Sequence, residues 1–199
     1  MNMYDSSVPA LITALTSLSG ILKSGAAHAK AKNIDESVFL NARLAPDMFA
    51  LTRQVQIATD MATRGIARLV GEEPSSTPDT ETDMKALQAR IKNAIKTIKS
   101  YKRAQFDDKA SAEISMKLPI GTLTLSGAEL ISMWVIPNVH FHVITAYNIL
   151  RHNGVELTKR DFLGDGIAAR MTLNAQSKPA TEKSTKKSSK KNTKTKKKG

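Results

Sequence analysis

The chain has 199 residues, of which 41% are hydrophobic and none is cysteine, and its formal net charge is +12. Its length allows one domain with a full core plus an appendage, and the absence of cysteine excludes disulfides, thiolate zinc sites and cysteine nucleophiles. Because no apolar run reaches eighteen residues and the first residues do not resemble a signal peptide, we expect a cytoplasmic protein without a transmembrane segment.

Two helices are predicted in the first seventy residues. Capping side chains at 5–7 precede Pro9, which suits the first turn of a helix, and leucines at helical spacing continue that helix to about Ala29. Pro46 is expected to open the second helix, and Gly71 stands where a C-terminal cap belongs. The apolar stripe of the second helix consists of Met48, Leu51, Val55, Ala58, Ala62, Ile66 and Leu69.

A third helix is predicted after a loop that contains Pro74 and Pro78. Thr80, with Asp83 three residues later, indicates its start, and its apolar stripe continues to Ile98. Its outer face is basic, and we interpret it as a solvated face. That face carries Lys85, Lys92, Lys96 and Lys99.

The apolar period then changes from 3.6 residues to 2 between residues 113 and 125, around a proline-containing turn. This change predicts a short β-hairpin. Ser126 and Glu129 form a capping-box pattern that opens the fourth helix. Pro137, inside that helix, removes one backbone donor and should bend the helix.

Four amphipathic helices with short connections predict an all-α fold, an antiparallel four-helix bundle with the hairpin between helices three and four. We assign residues 1–164 to the bundle, 165–176 to a weakly ordered extension and 177–199 to a disordered lysine-rich tail. At the end of the bundle, Phe162 and Leu163 are expected to pack against the helices.

Polar side chains fall on the apolar faces of the second and fourth helices. At about 100° per residue, Asn138 and His142 share the inner arc of the fourth helix, one turn apart. Gln56 and Asp60, also four residues apart, lie on one flank of the second helix. The apolar members of the inner arc include Ile131, Trp134, Val135, Phe141 and Ile149.

If these two faces meet, Gln56, Asp60, Asn138 and His142 form one polar cluster inside the bundle. An unpaired buried polar group costs about 1–3 kcal/mol, so the four side chains must be paired or must coordinate something. The pattern leaves two interpretations open, an internal hydrogen-bond network and a ligand or metal site. A general acid or base role for His142, with Asp60 as its orienting partner, is a further hypothesis.

Three segments resemble a known family: MYDSSVP at 3–9, NARLAPDMFALTRQVQIATD at 41–60, and PNVHFHVITAYNILRHNGVELTKRDFLG at 137–164. They are similar to the DUF1993 family, a bacterial family of unknown function in the DinB/YfiT-like superfamily of four-helix bundles. The resemblance implies a site in which many members of that superfamily bind a divalent metal through three histidines. Some of those members transfer low-molecular-weight thiols, and members often pair, which leaves a homodimer open.

Carried onto this chain, the resemblance places the three ligand positions at Gln56, Asn138 and His142, so that two of the three histidines are amides. We therefore disfavour a divalent metal and expect a small-molecule-binding protein with a degenerate metal site and an unknown ligand. Its candidate contacts are Gln56, Asp60, Asn138, His142 and Trp134. A non-enzymatic structural or interaction protein and a metal-dependent thiol transferase-like enzyme are the alternatives.

The net charge is concentrated in the tail. Residues 177–199 hold ten lysines and Glu182, which gives +9, whereas 1–176 hold 20 basic and 17 acidic residues, which gives +3. The tail predicts either weak, sequence-independent and salt-sensitive nucleic-acid binding or a solubilising role. The lysines expected to contact nucleic acid are Lys186, Lys187, Lys190, Lys191, Lys196, Lys197 and Lys198.

Overall fold

The computed structural model describes residues 2–164 together with 166 and 170. This part of the chain confirms a mostly helical fold with one two-stranded antiparallel hairpin. The lysine-rich tail and most of the predicted extension at 165–176 lie outside the described residues. The helices are α1 Met3–Lys32, α2 Glu36–Leu40, α3 Leu51–Val70, α4 Met84–Ser100, α5 Gly127–Glu129, α6 Ile136–His152 and α7 Lys159–Leu163, and the strands are β1 Glu113–Leu118 and β2 Gly121–Ser126.

The first helix begins earlier than predicted. Asn2 caps α1, because its side-chain oxygen accepts the N–H of Tyr4 at 2.8 Å. The hydroxyl of Ser7, predicted to cap the helix, instead donates to the carbonyl of Met3 at 2.6 Å from within it. Pro9 therefore lies inside the helix, where its ring faces solvent. The prediction of the start was wrong because a cap was already available at position 2.

The second predicted helix, α3, begins at Leu51 and not at Pro46. Pro46 lies in turns, and the N–H of Leu51 donates to the carbonyl of Ala42 at 3.0 Å. At the other end the cap was predicted correctly, since Gly71 has φ of 90° and its N–H returns to Ala67. The five-residue helix α2 was not predicted, because so short an element shows no periodicity.

The start of α4 is capped by Asp83 and not by Thr80. The carboxylate of Asp83 accepts the N–H of Ala86 at 2.6 Å. The predicted apolar stripe is correct as far as Ile98, which is fully buried. The lysines on the outer face of α4 are exposed, as predicted.

The core lies between the long helices. α1 packs against α3, α4 and α6, and α3 packs against α4 and α6. Each large aliphatic side chain removed from water contributes about 1.5–3 kcal/mol before the loss of chain entropy is counted. Fully buried members of this core include Leu15, Leu18, Ile21, Leu22, Leu51, Val55, Ile66, Leu87, Val139, Val143 and Leu150.

Among the described helices, α1 alone is long and apolar enough to cross a membrane by length and composition. The exclusion of every such segment was therefore too strong. The apolar residues of α1 have a structural role in the fold, since Leu11, Leu15, Leu18 and Leu22 are almost wholly buried.

At the C-terminal end of the described chain, Phe162 packs partly against the core, whereas Leu163 is 39% exposed.

The last long helix is interrupted by a wide turn. Leu130–Val135 is π-helical and lies between α5 and α6, and Pro137 is the second residue of α6. The predicted capping box opens this helix, because Glu129 accepts the N–H of Ser126 at 2.8 Å. A π-helical turn holds more residues than an α-helical turn, so side chains on its two sides do not follow one wheel of 100° per residue. Phe141, assigned to the inner arc, is consequently 53% exposed.

Candidate functional site

Gln54 of α3 and His142 of α6 meet inside the protein. The imidazole Nδ1 lies 2.7 Å from Gln54 Oε1. Both residues are buried, His142 with 8% and Gln54 with 1% of its surface exposed. The amide nitrogen of Gln54 donates to the carbonyl of Phe49 at 2.9 Å, which turns Oε1 toward the imidazole. Because that oxygen can only accept, Nδ1 must carry the proton and Nε2 keeps its lone pair.

Burial lowers the pKa of His142, and the positive charge of Arg53 lowers it further. The imidazole is therefore expected to titrate below its ordinary 6.5 in an NMR titration of the ring nitrogens. Since the folded pKa lies below the unfolded one, protonation opposes folding, and this contribution lowers the stability as the pH falls through 6.5. Arg53→Gln should raise the pKa only part of the way, because burial remains. An unshifted pKa in the wild type would contradict this arrangement.

A second polar cluster surrounds Arg90 of α4, whose side chain is only 4% exposed. Its Nε donates to a threonine hydroxyl of α3, and Nη1 donates to the Pro78 carbonyl and the Glu81 carboxylate, each at 2.9 Å. Its Nη2 lies 2.6 Å from Asp60 and 3.1 Å from Asp79. The guanidinium thus makes four hydrogen bonds and one further ion-pair contact, with Asp79. Arg90 thereby fastens the loop between α3 and α4 to both helices.

The predicted cluster of four polar residues is divided by the structure. Gln56 donates to Glu81 at 2.9 Å and accepts from Arg53 at 3.3 Å, and Asp60 pairs with Arg90. These contacts direct Gln56 and Asp60 toward the loop that precedes α4. The expected orienting role of Asp60 is wrong, because the partner of His142 Nδ1 is a different α3 residue, Gln54.

Asn138 is engaged within its own helix. Its amide donates to the carbonyl of Trp134 at 2.7 Å, across the end of the π-helical turn. Both residues are half-buried, whereas the uniform wheel placed them on the inner arc. That any of the candidate residues contacts a ligand stays a prediction.

The side chains at the three inferred metal positions do not fit a divalent cation. His142 supplies one imidazole, while the amides of Gln56 and Asn138 are already hydrogen-bonded to other groups. Zinc and similar metals favour several imidazole, thiolate or carboxylate ligands, and amides are weak ligands. Within the described part of the chain, no group of three or more His, Cys, Asp or Glu side chains is arranged to hold a metal.

A groove of about 240 Å³ runs between α3, β1 and the π-helical turn. We call it the arginine groove. Three arginines of α3 line it together with apolar side chains, and two of the candidate residues, Asp60 and Trp134, line it as well. The remaining lining residues are Arg53, Ile57, Met61, Arg64, Arg68, Met116, Lys117 and Leu118.

Arg64 and Arg68 give the groove its unusual electrostatics. They lie one helical turn apart and are half-buried, and Arg64 Nε is enclosed with no acceptor among the described residues. Burial lowers the pKa of Arg68 and the charge of Arg64 lowers it further, although the charge of Glu73 opposes this shift. Neither guanidinium has a carboxylate within ion-pair distance in the described chain. Because both stay charged, their partial removal from water raises the free energy of the ligand-free protein.

A signal for this groove is present in the sequence, although it matches no known functional motif. Arg53, Arg64 and Arg68 fall within an arc of about 60° on a uniform helical wheel. Arg90 borders the apolar stripe of α4, about 40° from Ala94 on the same kind of wheel. A basic residue at the edge of an apolar stripe is partly removed from water, needs partners and should be treated as a site candidate.

Comparison with known proteins agrees with the inferred resemblance. A family model described as "Domain of unknown function (DUF1993)" matches residues 3–163. A crystal structure of a DinB family member protein from Shewanella denitrificans is 40% identical, with a TM-score of 0.76 over 81% of this chain and 92% of that one. The search of curated proteins gave no match. With most of its length matched, this chain belongs to the DUF1993 family.

Proposed function

We propose that this protein binds a small anionic molecule with an apolar part in the arginine groove. The observation that supports the proposal is the enclosed Nε of Arg64, which has no acceptor among the described residues and lies beside the equally charged Arg68. A buried donor without an acceptor is costly, and two desolvated like charges add to that cost. An anion bound between the two guanidiniums would remove both penalties.

The shape and lining of the groove favour a ligand with two chemically different ends. Arg64 and Arg68 can offer forked, charge-assisted hydrogen bonds to a carboxylate or phosphoryl group. Met116 of β1 and Trp134 of the π-helical turn, with Met61 beside the arginines on α3, offer apolar and aromatic surface. The volume of about 240 Å³ lies near the lower end of ligand pockets, which favours a small molecule.

This proposal retains the small-molecule binding expected from the sequence but changes its chemistry. Asp60 lies in the wall of the groove, but its carboxylate pairs with Arg90 and not with Arg64 or Arg68. We also infer that the long helices form an antiparallel four-helix bundle, an inference supported by the packing of α1 against α3, α4 and α6.

Trp134 provides a direct test, because it is the one tryptophan of the chain and lines the groove. Titration with phenyl phosphate is expected to change its fluorescence saturably and to raise the melting temperature. Arg68→Gln should weaken binding about 10-fold or more, since a hydrogen bond to a charged group is worth about 1.5–3 kcal/mol. The melting temperature of ligand-free Arg68→Gln should not fall, because one of two repelling charges has been removed.

Arg151→Gln is the matched control, because Arg151 is exposed on α6 and does not line the groove. Its affinity for phenyl phosphate should equal that of the wild type. Benzyl alcohol, which lacks the anion, and inorganic phosphate, which lacks the ring, should each bind more weakly than phenyl phosphate. An equal loss of affinity in both arginine variants, or no saturable change in fluorescence, would show that the groove is not the site.

A second candidate function follows from the division of charge along the chain. The tail carries +9 of the net +12 and offers no aromatic side chain to stack on bases. We propose weak nucleic-acid association through tail lysines such as Lys186, Lys187, Lys190 and Lys191. Such association would be independent of base sequence and would weaken as the salt concentration is raised.

A further inference from the structure

The exposed side of α4 carries a stripe of lysines. Lys85, Lys92, Lys96 and Lys99 are all exposed and fall within an arc of about 60° on the helix. At 1.5 Å per residue they extend over about 21 Å along the helix axis. The opposite side of the helix is fixed in the core by Leu87, Ile91, Ala94 and Ile98.

This stripe is not neutralised by the fold. α4 contains no acidic residue, and none of these four lysines is within ion-pair distance of a described carboxylate. The nearest acid in sequence is Asp83, and its carboxylate caps the start of the helix. By contrast, the exposed Arg103 elsewhere on the surface pairs with Asp5. The stripe is therefore a local excess of positive charge on a body whose overall charge is close to balance.

The stripe continues across a groove onto the neighbouring helix. Between α1 and α4 lies a surface groove of about 350 Å³, with Lys23 on one wall and Lys92 on the other. The two helices are joined at this point, because Ser19 and Gln88 exchange hydrogen bonds at 2.6 and 2.7 Å. The five lysines, Lys23, Lys85, Lys92, Lys96 and Lys99, consequently stand on a rigid surface. We call this surface the α4 lysine face.

We propose that the α4 lysine face binds the phosphate backbone of a nucleic-acid duplex, a function that does not depend on the tail or on the arginine groove. The stripe is about 21 Å long, which corresponds to about six base pairs of a duplex, because successive phosphates of one strand advance by about 3.4 Å along the duplex axis. Each lysine that neutralises a phosphate releases a counterion, and this release is the source of the affinity. Binding would be independent of base sequence, since lysine contacts to phosphates carry no sequence information.

A membrane surface fits the α4 lysine face less well than a duplex does. A helix that lies on a membrane inserts an apolar face beside its basic residues. The apolar face of α4 is buried in the protein core. Beside Lys92, the groove between α1 and α4 is lined by Ile95, which is half-buried, and by Ile91, which is buried. Among the described residues, the lysines therefore have no large exposed apolar side chain on α4 for insertion into lipid.

The test compares variants of the full chain by fluorescence anisotropy with a labelled 20-base-pair DNA duplex at several salt concentrations. Lys92, Lys96 and Lys99 are replaced together by glutamine, which keeps the helix propensity and removes three charges. The slope of log affinity against log salt is expected to become shallower by about 2–3, at about 0.9 per lost phosphate contact. Circular dichroism checks that the variant keeps its helix content.

The matched control replaces Lys30, Lys32 and Lys159, three exposed lysines outside the face, with glutamine. This control has the same net charge and should change the slope by less than about 1. Equal changes in the two triple variants would overturn the proposal, because net charge alone would then explain the binding. Absence of wild-type duplex binding at low salt would also overturn it.

Two further arms separate the α4 lysine face from the alternatives. Replacing Lys186, Lys187, Lys190 and Lys191 with glutamine tests the tail. In that variant the duplex should still bind, and the remaining slope of log affinity against log salt should reflect the lysines of the α4 lysine face. If the tail variant alone removes all binding, the proposal for α4 fails while the tail function stands. Vesicles that contain phosphatidylserine test the membrane alternative, and a greater loss on vesicles than on the duplex would overturn the proposal.

Discussion

Arg90→Met is expected to lower the free energy of unfolding by about 3 kcal/mol. The substitution leaves Asp60, Asp79 and Glu81 close together without their shared cation, and removing one partner of a buried charged network typically costs about 3–5 kcal/mol. We place the value near the lower end because Asp60 and Asp79 reach solvent. Urea unfolding followed by circular dichroism measures the change.

Arg103→Met is the matched control for this prediction. Arg103 pairs with Asp5, and both side chains are largely exposed, so the loss should stay within about 1 kcal/mol. The two substitutions remove the same atoms and the same charge. A loss below about 1 kcal/mol in Arg90→Met would show that the network around Arg90 does not hold the loop to the helices.

The same network predicts how the stability depends on acid pH. Burial raises the pKa of Glu81, but hydrogen bonds from Gln56 and Arg90 outweigh burial and leave that pKa below its ordinary 4.5. A carboxyl whose folded pKa is depressed contributes stability above its unfolded pKa and loses it as the pH falls through the folded value. The stability difference between the wild type and Arg90→Met should therefore shrink below about pH 4.5.

Gly127→Ala is the second substitution expected to have a large effect. Gly127 follows β2, and its N–H donates to the carbonyl of Ala112 at 2.9 Å. A Cβ at this position would overlap the backbone carbonyl of Lys109 and would stand 2.9 Å from Leu69 Cδ1. Overpacking against flexible side chains costs about 1–3 kcal/mol, and a backbone group cannot move aside as easily. We expect a loss of at least 3 kcal/mol, about the top of that range, in urea unfolding.

Gly20→Ala is the control for the conformational freedom that any glycine loses. Gly20 lies inside α1, and no described atom comes within 4 Å of a Cβ placed there. Alanine should therefore raise the free energy of unfolding by about 0.5–1 kcal/mol, through helix propensity and a less flexible unfolded chain. A similar change at both glycines would show that the predicted overlap with Lys109 does not exist.

Sequence periodicity and caps were sufficient for most of the architecture, because they are local properties of the chain. The capping box of Ser126 and Glu129 and the glycine cap at Gly71 were both predicted at the correct residues. The starts of α1 and α3 were wrong, since Pro9 and Pro46 suit a first turn but do not require one. A proline restricts its own backbone and the residue before it, and the position of the cap is decided by neighbouring side chains.

The polar sites could be predicted only in part, because they depend on contacts between distant segments. That His142 would be buried followed from its place on the fourth helix, but its partner did not. Gln54 and Gln56 are about 200° apart on α3, and both are buried because α3 is covered on opposite sides. Periodicity also could not show that Asp79 and Glu81, in a loop, fold back onto Arg90.

The wide turn at Leu130–Val135 gives the last long helix two separate tasks. Within the turn, Trp134 lines the arginine groove, whereas beyond it His142 faces the buried amide of Gln54. Because the rotational phase of the helix is reset between these two residues, sequence changes on one side need not be matched on the other. Relatives with the same helical framework can therefore vary the groove and the buried imidazole independently.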